Sequence, residues 1–237
     1  MKLLAFETAT EACSVALYLD GQVRERFEVA PRRHAELALP MAQELLAEAG
    51  VARAQLDAIA VGRGPGAFTG VRLAVALAQG VALALDRPLL PVSTLAVLAA
   101  GAGEGTGQVL ACIDARMGEV YAGAYRRQDG DVLAVGAEQV LAPEAVPLPA
   151  GGGRWQGVGT GFAAGGGALA RRLGPELERI DAAALPHAAD LARLAALAWA
   201  RGEAVAPERA EPAYLRDNVA LTLVEQQALR DARRQGG

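Results

Sequence analysis

The chain has 237 residues, 52% of them hydrophobic and 21% charged, with 23 Lys and Arg against 27 Asp and Glu for a formal net charge of −4. That mixture excludes a disordered or collagen-like chain and leaves room for one compact unit or two small lobes. The acidic balance argues against a dedicated nucleic-acid scaffold, because phosphate binding scales with the Lys and Arg brought to the backbone.

Apolar runs predict strands over residues 3–8, 13–19 and 22–29, with Asp20-Gly21 turning the last two into a hairpin. From His34 onward Leu37, Met41, Leu45 and Ala49 recur every four residues and Gly50 supplies a stop, so a helix over 34–49 is expected, kinked at Pro40. A strand over 56–61 leads into the glycine-rich loop 62–70, with Thr69 the predicted N-cap of an apolar helix ending near Leu85. A strand over 89–92, a helix from Ser93 as cap to Ala100, and a glycine-rich hinge over 101–107 follow.

Beyond the hinge, strands are predicted over 108–114, 119–127 and 132–140, the last two joined by a turn at Asp129-Gly130. A Pro/Gly loop over 143–154, a strand-to-helix turn over 157–161 and a late helix marked by Leu191, Leu194, Leu197 and Ala198 complete the pattern. Both halves open on antiparallel strands and continue into alternating helices and strands. Two lobes are therefore expected, residues 1–102 and 103–237, with the late helices of the second packing back on the first.

The start of the chain reaches Glu7 before a signal-peptide core forms, which points to a cytoplasmic protein. The apolar stretch 71–85 includes Arg72 and Gln79 and falls short of the roughly 20 residues a bilayer requires, so a buried helix and no membrane contact are expected. Cys13 and Cys112 each sit in an apolar run and read as buried, inert thiols.

Loop 62–70 precedes a helix N-terminus and could hold a phosphate or simply turn the chain. A P-loop is excluded, since that motif needs a lysine after its last glycine and Lys2 is the only lysine. His34 and His187 are the only histidines and are far apart, which leaves a His-based metal centre without ligands. Glu7, Glu11 and Asp114 stand at strand ends, where carboxylates either form turns or hold a hydrated metal and phosphates. The pairs Arg32-Arg33, Arg126-Arg127, Arg171-Arg172 and Arg233-Arg234 lack interleaved aromatics and read as solvated surface. In the 71–85 helix Ala74, Ala78 and Ala82 form one stripe and Leu73, Leu77, Val81 and Leu85 another. A helix apolar on nearly all sides must be covered on all sides, so a second protein is expected on one face.

The segments Glu7-Thr8-Ala9-Thr10-Glu11-Ala12-Cys13-Ser14, His34-Ala35-Glu36, Gly64-Pro65-Gly66-Ala67-Phe68-Thr69-Gly70-Val71-Arg72, Ile113-Asp114-Ala115-Arg116-Met117-Gly118-Glu119-Val120-Tyr121 and Glu211-Pro212-Ala213-Tyr214-Leu215-Arg216 together resemble the bacterial TsaB (YeaZ) family. The resemblance implies an α/β, actin-like fold of the sugar-kinase and Hsp70 superfamily, two-lobed, with mixed sheets flanked by helices. It also implies a role in forming N6-threonylcarbamoyladenosine at position 37 of tRNAs that read ANN codons. In that scheme the chain is a non-catalytic partner of the catalytic subunit TsaD, TsaE joins the complex, and TsaC or Sua5 supplies the threonylcarbamoyl donor upstream. Thr94 and Leu98 stand where the sister enzyme carries two metal-binding histidines, and a leucine has no lone pair to donate. Glu11 takes the place of a catalytic Asp.

The resemblance and the excess apolar helix surface together assign partner binding to His34, Leu37, Met41 and Leu45 on one helix. On the other they assign it to Val71, Leu73, Ala74, Leu77, Ala78 and Val81. Glu7, Thr8, Glu11, Gly64, Gly66 and Asp114 are expected to line a vestigial nucleotide cleft. No cofactor or metal of its own is expected, ATP and Mg being used by the complex; tRNA is reached only through the complex, and a homodimer forms when the chain is alone. Two other readings stand beside this one. The first is a self-sufficient actin-fold ATPase or small-molecule kinase using Glu7, Glu11 and Asp114 around Mg-ATP. The second is a direct tRNA-binding module, which the net charge disfavours.

Overall fold

The computed structural model describes residues 1–103, 107–150 and 153–216; residues 104–106 of the predicted hinge, 151–152 of the Pro/Gly loop and the Arg233-Arg234 pair lie outside the described residues. β1 (Lys2–Glu7), β2 (Ala12–Leu19) and β3 (Gln22–Val29) form the predicted antiparallel run, turned by Asp20 and Gly21 at φ 47° and 98°. After α1 (His34–Ala49), β4 (Ala58–Gly62) comes back parallel to β1. α2 (Phe68–Leu85) then crosses to β5 (Leu89–Val92), which completes a sheet in the order β3-β2-β1-β4-β5. Ser93 caps α3 (Thr94–Ala100), its Oγ accepting the N–H groups of Leu95 and Ala96 at 3.1 and 3.4 Å.

The second half repeats the plan. β6 (Gln108–Arg116) and β7 (Glu119–Gln128) pair antiparallel, followed by β8 (Asp131–Ala134), β9 (Gln139–Leu141), β10 (Trp155–Val158), α4 (Ala164–Leu173), β11 (Leu177–Asp181) and α5 (Ala188–Ala200). Its sheet runs β11-β10-β6-β7-β8, with β9 also on β7. In each sheet a hairpin supplies the antiparallel side and crossover strands add the parallel side, so the fold is the two-lobed actin-like one.

Three details differ from the sequence-based expectation. α2 begins at Phe68 with Ala67 at the N-cap, which places Thr69 inside the first turn rather than before it. The single strand expected over 132–140 is two short strands, because Gly136 takes a φ of 105° that an extended strand does not allow. The apolar helix has 18 residues rather than about 15. Among the described residues it is the one helix long and apolar enough to cross a membrane, so length no longer separates it from a span.

Four apolar clusters fill the layers. α1 and α2 cover one face of the first sheet, where Met41, Leu45, Ala74 and Ala78 pack with Phe6, Val15 and Ile59. α5 covers the other face with Leu191, Ala192 and Ala195 on Leu3, Ala5 and Ala60. Leu95 and Leu98 of α3 face the second sheet at Val109, Ile113 and Tyr125, and α4 closes its far side over Trp155 and Phe162. Although α5 follows the second sheet in the chain, it is anchored to the first: Ala188 N–H donates to Ser14 Oγ at 2.8 Å and Ala189 N–H to Glu25 Oε1 at 3.0 Å. His187 Nδ1 lies 3.0 Å from Glu25 Oε2, and its ring stacks on Phe27 at 4.2 Å. The hydrogen bond to Glu25 holds the His187 pKa above its usual value.

Two glycines of α2 sit in opposite surroundings. A Cβ on Gly70 would stand 2.1 Å from the Thr8 carbonyl oxygen, whereas one on Gly80 would meet nothing within 4 Å. Beside this contact Glu7, only 1% exposed, accepts the Ala9 N–H at 2.8 Å and the Thr94 hydroxyl at 3.0 Å, while Thr94 Oγ1 accepts the Gly64 N–H at 3.1 Å. Burial pushes the Glu7 pKa up to about 7, against the lowering effect of the Ala9 and Thr94 hydrogen bonds.

Gly70→Ala should lower the unfolding free energy by about 2–3 kcal/mol through the clash, and Gly80→Ala should raise it by about 0.5–1 kcal/mol through helix propensity, both read in urea titrations. The folded protein binds the Glu7 proton more tightly than the unfolded chain does. The contribution of Glu7 to stability is therefore fully present below about pH 4.5 and is lost as pH climbs through about 7. Relative to wild type, Glu7→Gln should gain on the order of 3 kcal/mol between pH 4.5 and 8, seen as a growing Tm difference. A constant difference would show that Glu7 ionises as freely folded as unfolded.

Candidate functional site

Between the lobes lies a cleft of about 1010 Å³. Its walls come from the turn between β1 and β2, the start of α1, the first turn of α2, the β6–β7 hairpin and the segment 213–216. The turn and α2 meet because Gly66 and Gly70 carry no side chain: a Cβ on Gly66 would stand 2.3 Å from the Ala9 carbonyl oxygen. The Ala67 N–H donates to that oxygen at 2.7 Å, and Thr8 Oγ1 donates to the Gly70 carbonyl at 2.7 Å.

Of the six residues expected in the cleft, Glu11, Gly66 and Asp114 line it. Glu7, Thr8 and Gly64 are buried beneath it, their polar groups spent on Thr94, Gly70 and one another's backbone. Asp114 is held by Arg116 Nη1 at 2.9 Å and accepts the Arg116 N–H at 2.8 Å. Thr94 and Leu98, at 0% and 2% exposure, are core residues. Among the described residues no three His, Cys, Asp or Glu side chains gather closely enough to hold a metal ion.

The helix faces are redistributed too. Met41, Leu45, Val71, Ala74 and Ala78 are buried in this chain's own interior, so the four-residue apolar repeat marks the face turned to the first sheet and not a free surface. Leu37, Leu77 and Val81 pack partly against the same core, and Leu73 and His34 line the cleft. His34 Nε2 donates to the Thr10 carbonyl at 2.9 Å, which ties the start of α1 to the β1–β2 turn.

The outward face of α2 runs through Phe68, Arg72, Ala76, Gly80 and Leu83, with Phe68 55% and Leu83 63% exposed. At its N-terminal end the Arg72 guanidinium lies 3.5 Å over the Phe68 ring, and Arg72 Nε donates to Tyr214 Oη at 2.7 Å. Tyr214 leads to Arg216, which reaches the Ala115 carbonyl at 3.3 Å and pairs with Glu119 on the other wall. Sequence reasoning missed Phe68, Arg72 and Tyr214 as a unit. They lie in two of the five segments quoted for the resemblance, but nothing in one dimension joins positions 142 residues apart.

The family model described as TsaD, tRNA N6-adenosine threonylcarbamoyltransferase, matches residues 27–223. The tRNA threonylcarbamoyladenosine biosynthesis protein TsaB of Escherichia coli is 46% identical over 225 residues, covering 93% of this chain and 96% of that protein. Its namesake in Haemophilus influenzae is 38% identical over 230 residues, covering 92% and 95%. Among solved structures, YeaZ from Pseudomonas aeruginosa superposes with a TM-score of 0.82 at 50% identity, covering 90% of this chain and 99% of that one. Similarity of this extent, running through both lobes and through the α2 and β6–β7 segments that build the cleft, means that the chain belongs to the TsaB (YeaZ) family.

Proposed function

We propose that this chain serves threonylcarbamoyladenosine formation at position 37 of ANN-decoding tRNAs as a non-catalytic subunit, binding the catalytic subunit TsaD through the outward face of α2. The names carried by its relatives support the pathway. The observation that carries the subunit role is the α2 face itself: Phe68 and Leu83 are large apolar side chains left in solvent, separated by the flat stretch Ala76 and Gly80. Small residues let two helix backbones approach, and aromatic residues such as Phe, together with Arg, are enriched in interfaces, Arg being among the residues that carry most of the binding energy. A contact of about 1,600 Å² is typical of a stable complex.

The core placement of Thr94 and Leu98 supports the division of labour, since neither offers an imidazole to a metal. In this reading TsaE joins the complex, TsaC or Sua5 acts upstream, and tRNA, ATP and Mg are engaged by the assembly rather than by this chain alone. The complex works in the cytoplasm. A second copy of the chain covers the α2 face when TsaD is absent, because a self-complementary helix face also satisfies an isologous dimer.

Gly80→Leu separates docking from folding, because a side chain at Gly80 meets open space in the isolated chain. It should leave Tm within about 2 °C of wild type or above it, yet weaken TsaD association at least tenfold by calorimetry and reduce reconstituted tRNA modification in step. Leu83→Glu should act in the same direction. Wild-type affinity in both variants, or ATP turnover by the chain alone, would favour the self-sufficient ATPase reading instead.

A further inference from the structure

We propose that Arg72 is a preset anchor for a carboxylate, so that the partner docked on the outward face of α2 places an Asp or Glu against the N-terminal end of that helix. The inference rests on the α2-face reading above and specifies what the partner must carry. Arg72 is exposed, yet its guanidinium is held on two sides. Its central carbon lies 3.5 Å from the centre of the Phe68 ring, one turn earlier on the same face, and 5.4 Å from the centre of the Tyr214 ring. Nε donates to Tyr214 Oη at 2.7 Å.

Tyr214 is in turn fixed from both of its flanks. The Ala213 N–H donates to the Arg63 carbonyl at 2.8 Å in the first lobe, and Arg216 pairs with Glu119 in the second. The Tyr214 ring also meets Phe68, with centroids 6.4 Å apart. A strap tied to both lobes therefore sets the direction of one guanidinium. An arginine ordered before docking loses less conformational freedom when it binds.

What remains open on Arg72 defines its ligand. With Nε engaged and one ring face covered, the edge bearing Nη1 and Nη2 is left. Arg116 and Arg216 find carboxylates inside this chain, in Asp114 and Glu119, whereas Arg72 finds none among the described residues. Two N–H groups on one edge match the two oxygens of a carboxylate. A neutral carbonyl would accept a bond but leave the charge, and a buried charge without a counter-ion weakens a complex. The flanking positions Phe68, Ala76, Gly80 and Leu83 are uncharged, so a partner that covers them desolvates Arg72 and must bring the counter-charge itself. α2 has no acidic residue, so a second copy packed α2 against α2 returns no carboxylate from that helix. The anchor thus favours a different partner over self-association.

Binding of TsaD to the full chain should be measured by calorimetry, and self-association by sedimentation, for Arg72→Gln, Arg72→Lys and Tyr214→Phe. Arg72→Gln should weaken TsaD binding at least tenfold. Arg72→Lys, which keeps the charge but not the fork, and Tyr214→Phe, which frees Nε, should each weaken it at least threefold. Tm should stay within about 2 °C of wild type in all three, and self-association within about threefold. Changing the acidic residues of TsaD to arginine one at a time should reveal one position that restores at least tenfold of the affinity lost by Arg72→Glu. Wild-type affinity in Arg72→Gln, equal loss of TsaD binding and self-association, or failure of every TsaD change to rescue Arg72→Glu would each overturn the anchor. If Gly80→Leu weakens TsaD binding while Arg72→Gln does not, the docking face stands and the anchor alone fails. If neither variant weakens it, the α2-face reading fails as well.

Discussion

The close approach of the α2 N-terminus to the β1–β2 turn is the contact on which the rest of the molecule depends. Carbonyl oxygens of Thr8 and Ala9 sit where side chains of residues 70 and 66 would begin, and only glycine at both positions allows it. A third glycine, Gly62, makes room in the same way for the Glu7 carboxyl, whose Oε2 would lie 1.9 Å from a Cβ there. One short loop therefore fixes where α2 starts, buries an acid beneath the cleft and shapes one cleft wall. The glycines that look from composition like a flexible phosphate loop act in the fold as close-packing positions.

That distinction explains what the sequence made legible and what it did not. Strands β1, β2 and β3 and helix α1 follow from short apolar runs, a two-residue turn and a four-residue apolar repeat, all of which are local. Ser93 was readable as a cap because its hydroxyl serves the two amides just ahead of it. The assignment of faces was not readable. The repeat through Met41 and Leu45 says that one side of α1 is apolar, but only the sheet beneath it tells whether that side belongs to the chain's own core or to a partner. The strand-to-helix turn over 157–161 announces α4, but its extent was not readable, because Gly165, Gly166 and Gly167, all with positive φ, open a segment with no apolar periodicity until Leu169 and Leu173. The burial of Glu7 was likewise invisible, as it depends on Gly62 and Thr94 from two other elements.

The cleft site illustrates the same limit at longer range. The sequence placed carboxylates at strand ends, and Glu11 and Asp114 do line the cleft. What it could not place were the groups brought in from elsewhere: the α2 amides, freed of a cap because position 67 is alanine, and the Tyr214 side chain that holds Arg72. These arise from pairing of distant segments, which leaves no period in the sequence.

The two lobes are also tied across the cleft and behind it. Ser93, at the end of the first sheet, and Tyr125 of the second both donate to Glu138. The segment after α5 pairs with β5 through Leu89 and Val205, then crosses by Tyr214 to Arg216 and Glu119 on the opposite wall. α5 itself is capped by Glu25 and Ser14 of the first sheet, with the His187 pair at its start. Each of these contacts joins an element of one lobe to an element of the other or holds the segment that crosses between them. Cross-links of this kind lower the entropy that a partner must otherwise remove on binding. The outer face of α2 and its wall of the cleft keep a fixed register, since both are built on one helix.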